Sequence, residues 1–95
     1  MPAYWIARID VSDTEAYSRY AALAGPAIKA YGGEFLARGG EARQMEGKGR
    51  ARNVVVRFPD LDAAEACYRS PAYQEALTHA KGASERELVL VEGVA

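Results

Sequence analysis

Cysteine is almost missing from this 95-residue chain. Cys67 is the only one, so no internal disulfide can form and a zinc site built on thiolates is excluded. Histidine is equally scarce: His79 stands alone, with no second imidazole to share a metal. No sign of charge dominates. Twelve basic residues against 13 acidic ones leave a net charge of −1. That gives no basic surface to attract nucleic acid and no acidic tail. No apolar run approaches the roughly 20 residues of a membrane span. The start, Met-Pro-Ala-Tyr-Trp, has neither the basic segment nor the apolar run of a secretion signal. A cytoplasmic protein is therefore expected, with neither nucleic acid nor membrane as partner. The glycines make no phosphate loop: no helix follows Gly39-Gly40 or Gly47-x-Gly49, and Gly-Lys-Ser and Gly-Lys-Thr are missing. Nothing in the sequence calls for a metal or a cofactor.

What is present is material for a core. Hydrophobic residues make up 49% of the chain and charged residues 26%, a globular composition. The length fits one domain over residues 1–95. A chain of this size buries roughly 60–65% of its unfolded surface, so a lone monomer is marginally stable.

Tyr4 to Val11 alternates like a strand. Ser12 opens Ser-x-x-Glu with Glu15, a capping box that predicts a helix start. Ala16, Tyr20, Leu23, Ala27 and Tyr31 follow at helical spacing. Pro26 predicts a kink or a division at Gly25-Pro26, and Gly32-Gly33 ends the helix. Glu34 to Arg38 is a short strand. Residues 41 to 50 suggest a hairpin-like excursion with a brief strand near Ala42 to Met45. Ala51 to Phe58 is the next strand, stopped at Pro59. Asp60 caps a helix to about Arg69. Ser70-Pro71 caps and restarts a second piece to about Ala80. Lys81 to Glu85 is a loop, and Arg86 to Gly93 is the last strand. The order predicts an α+β, ferredoxin-like βαββαβ sandwich. Its four-stranded antiparallel sheet runs 4-1-3-2, with both helices on one face.

Alternation divides the strand residues into two sets. Trp5, Ala7, Ile9, Val11, Phe35, Ala37, Val54, Val56, Phe58, Val89 and Val91 form the apolar set, expected to meet the helices. The other set mixes Tyr4, Ile6, Leu36, Val55, Leu88 and Leu90 with Arg8, Asp10, Glu34, Arg38, Asn53, Arg57 and Glu92. Helices cover only one side of a sheet, and the mixed side carries too much apolar surface for a small monomer. A homodimer through the sheet face, a dimeric α/β barrel, is the expected partner arrangement. Space between the two sheets would be a pocket lined by the mixed set, which makes Tyr4, Arg8, Arg38, Asn53 and Arg57 candidate ligand-binding residues. The plainer expectation is that Arg8, Arg38 and Arg57 pair with Asp10, Glu34 and Glu92 across the sheet or the dimer seam and fix register. The sharper one is that Arg38, beside Gly39-Gly40, binds a small carboxylate or phosphate.

Met-Pro-Ala-Tyr-Trp-Ile-Ala-Arg-Ile at the start, the segments Tyr31 to Gly40, Arg52 to Pro59 and Tyr68 to Gln74, and Val89 to Val94 together resemble the family catalogued as domain of unknown function 1330. The resemblance spans nearly the whole chain. It implies a dimeric α+β barrel of ferredoxin-like subunits and no established activity. Arg57 stands where that family usually has an acid, and residues His79 to Lys81 lack the arginine that the resemblance implies near Ala80.

Chemistry is thinly represented. His79 is a weak catalytic candidate as a general acid or base, although its place late on a helix also suits a surface cation. Asp60, Asp62 and Glu65 complement a helix start. Cys67 reads as a small buried residue and Ser70 as a cap. Tyr17, Tyr20, Tyr31, Tyr68 and Tyr73 have core-like spacing, and Tyr68 and Tyr73 could present hydroxyls to a ligand. The leading functional expectation is a small dimeric protein that binds an anionic or aromatic organic molecule between sheet and partner. The alternatives are a cofactor-free oxygenase or isomerase, by fold analogy, and a structural module with a filled barrel.

Overall fold

The computed structural model of the protein describes residues 1–95. Its elements are β1 (Ala3–Val11), α1 (Thr14–Ala30), β2 (Glu34–Arg38), β3 (Arg52–Phe58), α2 (Leu61–Arg69), α3 (Pro71–Ala80) and β4 (Ser84–Glu92). The sheet order is β2-β3-β1-β4 with antiparallel neighbours throughout, the expected order read from the other edge. This is the α+β, ferredoxin-like fold. Its overall dimensions of 34 × 34 × 16 Å match one layer of strands under one of helices. No helix is long and apolar enough to cross a membrane.

The start of α1 differs from the expected capping box by one residue. Asp13 is the N-cap and accepts from the Ala16 amide at 3.1 Å. The Ser12 amide is spent on the Ala83 carbonyl at 2.8 Å. A carboxylate at the cap also meets the helix dipole, which Ser12 could not do as well. Pro26 does not divide the helix, which runs unbroken to Ala30. Tyr17, Tyr20, Ala24, Ala27 and Ile28 form the buried stripe, while Leu23 and Tyr31 are 40% and 38% exposed. Ser70 both ends α2 and starts α3: its hydroxyl donates to the Cys67 carbonyl at 2.7 Å and accepts from the Tyr73 amide at 3.1 Å. Such caps contribute about 1 kcal/mol.

The core lies between helices and sheet, around Trp5, Ile9, Val56, Phe58, Cys67 and Tyr73. The Trp5 ring stands edge-on to Tyr73 at 4.9 Å and tilted to Phe58 at 5.7 Å, geometries that favour aromatic pairs.

Three expectations about the sheet are corrected. First, residues 42–45 form no strand; the segment holds to the sheet by side chains instead. Second, β4 is phased the other way. Trp5 pairs with Leu90, Ala7 with Leu88 and Ile9 with Arg86. Leu88 and Leu90 thus pack on the core while Val89 and Val91 stand on the open face. Both alternating sets are apolar there, so hydropathy could not choose between them. Third, the β2–β3 register shifts between Phe35 and Ala37. The extra residue puts Ala37 opposite Val55 and Arg38 opposite Val54, so Ala37 joins the open face and Arg38 the helix face.

Burial pushes the Cys67 thiol up from 9.0 to about 11. The unfolded chain therefore loses this proton first as pH rises. Cys67 leaves stability undiminished below pH 9 and erodes it as pH climbs from 9 towards 11. Urea denaturation across that range should show wild type losing stability that Cys67→Ala retains, and a disulfide reagent at pH 8 should label Cys67 only in urea.

Candidate functional site

Successive rungs of the sheet bring arginines beneath α1. Ile9 is the partner of Arg52 on β3 and of Arg86 on β4. The next rung holds Arg38, Val54, Ala7 and Leu88, followed by Phe35, Val56, Trp5 and Leu90. Opposite them, α1 supplies Tyr17 and Tyr20, then the small residues Ala21, Ala24 and Gly25. Ala7 below these small residues leaves a partly enclosed hollow of about 30 Å³, space for about two waters. Ten of its 14 lining residues are hydrophobic, and none is Asp, Glu, His or Cys. Arg38, Arg52 and Arg86 all line it, and Arg38 is the one exposed member.

The three guanidinium groups are held differently. Arg86 donates to the hydroxyls of Tyr17 at 3.2 Å, Tyr20 at 3.1 Å and Tyr73 at 3.1 Å. It also lies 4.6 Å over the Tyr20 ring, a cation–π contact. The Tyr20 and Tyr73 hydroxyls meet at 2.7 Å. Burial raises both of their pKa values, with Arg86 pulling the other way, so both keep their protons near neutrality. For Arg86 burial lowers the pKa, but the tyrosines outweigh it and the net shift is upward. Arg52 points its Cζ at the Tyr17 ring from 5.8 Å, and its buried Nε has no hydrogen-bond partner. Arg38 lies 4.0 Å over the Phe35 ring.

Two glycines make room for these groups. A Cβ at Gly25 would lie 3.2 Å from Nη2 of Arg38. At Gly39, whose φ is +73°, a side chain would be strained and would strike the Arg52 guanidinium.

None of the three cations has a carboxylate partner. Ion pairing goes elsewhere, above all to Arg50, which reaches Asp10, Glu85 and Glu87 at 3.1, 3.2 and 3.0 Å. Within one copy, the expected pairing of Arg8, Arg38 and Arg57 with Asp10, Glu34 and Glu92 across the sheet is absent. Arg57 is exposed and faces Glu34 in register without an ion pair. Arg8 donates to Asn53 at 3.0 Å and to Gln44, and Asn53 donates back to the Arg50 carbonyl at 3.3 Å. These contacts fasten residues 41–50 to the open face.

Of the sequence candidates, the structure brings Arg38 to the hollow and the Tyr73 hydroxyl to the Arg86 cluster. Arg8 and Asn53 meet on the opposite face, near the strand end, with Tyr4 and Arg57 towards the other end. Tyr68 is half-buried beside Trp5 and Tyr73, and it lines open grooves along β4. His79 sits half-buried in the last turn of α3, away from the hollow. No group of three or more His, Cys, Asp or Glu gathers as a metal site. Arg52, Arg86, Tyr17 and Tyr20 escaped sequence reasoning as site residues. One signal was available for Arg86. Glu85 and Glu87 alternate with it, and burying two carboxylates costs more than burying one arginine, whose stem packs among apolar groups.

Arg86→Met should lower stability by about 2–3 kcal/mol, because it removes charge-assisted bonds to three tyrosines. Arg50→Met, despite its three ion pairs, should shift the urea midpoint much less, since those pairs are solvent-screened.

Solved structures share this fold. RPA0582, a protein of unknown function from Rhodopseudomonas palustris, matches with a TM-score of 0.78 at 19% identity, over 99% of this chain and 83% of its own. A dimeric protein of unknown function with a ferredoxin-like fold from Bacteroides fragilis matches at 0.66 and 12%, over 97% and 96%. SnoaB, a cofactor-independent oxygenase from Streptomyces nogalater, matches at 0.65 and 15%, over 99% and 94%. At such identities the likeness shows the fold alone. No curated protein matches the chain. The family model described as Domain of unknown function (DUF1330) matches residues 2–94, and the chain belongs to that family.

Proposed function

We propose that the protein is a homodimer that binds a small organic anion in the hollow between α1 and the sheet. One observation carries the ligand class: Arg38, Arg52 and Arg86 line a single hollow that no carboxylate neutralises. A desolvated charge costs several kcal/mol unless a partner offsets it. Arg52, with a buried and unpartnered Nε, has the most to gain from an anion. The apolar walls suit a hydrocarbon body. The proposed site therefore lies on the helix side rather than between sheet and partner. On the open face, Arg8 and Asn53 already spend their polar atoms on each other and on Gln44 and Arg50.

A cofactor-free oxygenase or isomerase is the second reading, supported by the fold shared with SnoaB. Proton abstraction needs a base, and no Asp, Glu, His or Cys lines the hollow, so binding leads. A filled structural module would account for Arg86, which three tyrosines already hold, but would leave the buried Arg52 Nε without a partner.

The dimer is supported by the open face. Val89, Val91 and Leu36 are 55%, 45% and 52% exposed beside half-buried Ile6 and Val55. Covering such a patch with a symmetric copy removes it from water. Light scattering after size exclusion at micromolar concentration should give twice 10.3 kDa, and Val55→Lys should give a monomer. Wild type eluting at the monomer mass would end the proposal.

Trp5 is the only tryptophan and lines the hollow, so its fluorescence reports occupancy. Titration with propionate or benzoate, at ionic strength held constant with chloride, should give a saturable change. Arg52→Met should weaken it by about tenfold or more, the worth of a charge-assisted hydrogen bond. No saturation with either anion, or equal binding by Arg52→Met, would count against the site.

A further inference from the structure

The hydrogen bonds around Arg86 leave a surplus of donors. Arg86 donates to all three hydroxyls, so each hydroxyl oxygen already accepts. One O–H serves the contact between Tyr20 and Tyr73. Tyr73 does not line the hollow, whereas Tyr17 and Tyr20 do. If Tyr73 donates to Tyr20, its proton is used, and the hydrogens of Tyr17 and Tyr20 remain. Neither has an acceptor within the protein. Arg52 Nε on the same rung is buried and equally unpartnered. The Tyr17 and Tyr20 hydroxyl hydrogens and the Arg52 guanidinium therefore gather at one end of the hollow with no carboxylate among them. The other end is Ala7, Ala24, Ile28 and Phe35.

Resting on the anion-binding reading above, we infer that the ligand is a short-chain monocarboxylate, with its carboxylate among Tyr17, Tyr20 and Arg52 and its hydrocarbon towards Ala24 and Phe35. A carboxylate is acceptor-only, and its two oxygens offer about four lone-pair sites, enough for three donors. An alcohol or amide carries no charge to offset the arginines that no carboxylate pairs. Inorganic phosphate brings no hydrocarbon to meet Ala24, Ile28 and Phe35, so it forgoes the apolar burial that an acid's chain gains there. The hollow of about 30 Å³ has room for only about two water-sized groups, so even a short acid seats its hydrocarbon only when the exposed Arg38 side chain swings aside, and longer acids need more of that movement.

The test uses propionate and inorganic phosphate with wild type, Tyr17→Phe, Tyr20→Phe and the double variant, read by Trp5 fluorescence at constant ionic strength. Propionate should bind wild type at least tenfold tighter than phosphate. Each single change should weaken it several-fold and the pair tenfold or more, with Tyr31→Phe as an unaffected control. Should the double variant fail to fold, wild type labelled with ¹³C at tyrosine Cζ replaces it, and propionate should move the Tyr17 and Tyr20 signals. Propionate binding that needs Arg52 but ignores both hydroxyls, or leaves both signals unmoved, overturns the carboxylate seat and leaves the anion site standing. Phosphate binding as tightly as propionate overturns the ligand class. If neither propionate, benzoate nor phosphate binds, the anion site itself falls.

Discussion

A buried cation ties this small fold together. Arg86 on β4 reaches two tyrosines on α1 and one on α3, so one guanidinium joins two helices to an edge strand. The tyrosines need it as much as it needs them. Their hydroxyls lie in a core otherwise made of Trp5, Ile9, Val56 and Phe58, where an unpaired polar atom is costly. Burial keeps Tyr20 and Tyr73 protonated, so the cluster stays positive. That positive field extends along the Ile9 rung to Arg52 and across to Arg38.

The hollow beside this cluster follows from residue size. Ala7 occupies the centre of the sheet, and Ala21, Ala24 and Gly25 occupy the facing turns of α1. Larger residues there would fill the space with core. Gly25 and Gly39 serve the same end, since each leaves room that an arginine occupies. Small residues above and below, long cations at the sides and no carboxylate among the lining residues give the hollow its character.

The two faces of the sheet divide the work. The helix face holds the core and the unpaired arginines. The open face holds the compensated charges: Arg50 among Asp10, Glu85 and Glu87, and Arg8 with Asn53 and Gln44. These pin residues 41–50 against the strands without any strand of their own. Beyond them the open face mixes exposed Leu36, Val89 and Val91 with the unpaired Arg57 and Glu34.

Sequence alone determined the element order, the strand order and the caps at Asp60 and Ser70, because these depend on neighbours a few residues apart: acid or serine before a helix, Pro71 at a first turn, Gly32-Gly33 at an end. The buried faces of β1 and β3 were legible too, because every charged residue of those strands except Arg52 falls in the other alternating set. Only the tertiary structure decided which side of the sheet β4 and the end of β2 present. In β4 both alternating sets are apolar, so the choice fell to the pairing of Trp5 with Leu90 and to the lower cost of burying Arg86 than Glu85 and Glu87. In β2 a single extra residue turned Arg38 over, and a bulge leaves no mark in hydropathy. The candidate site was hidden for the same reason: Arg38, Arg52 and Arg86 lie far apart in the chain and meet only through register.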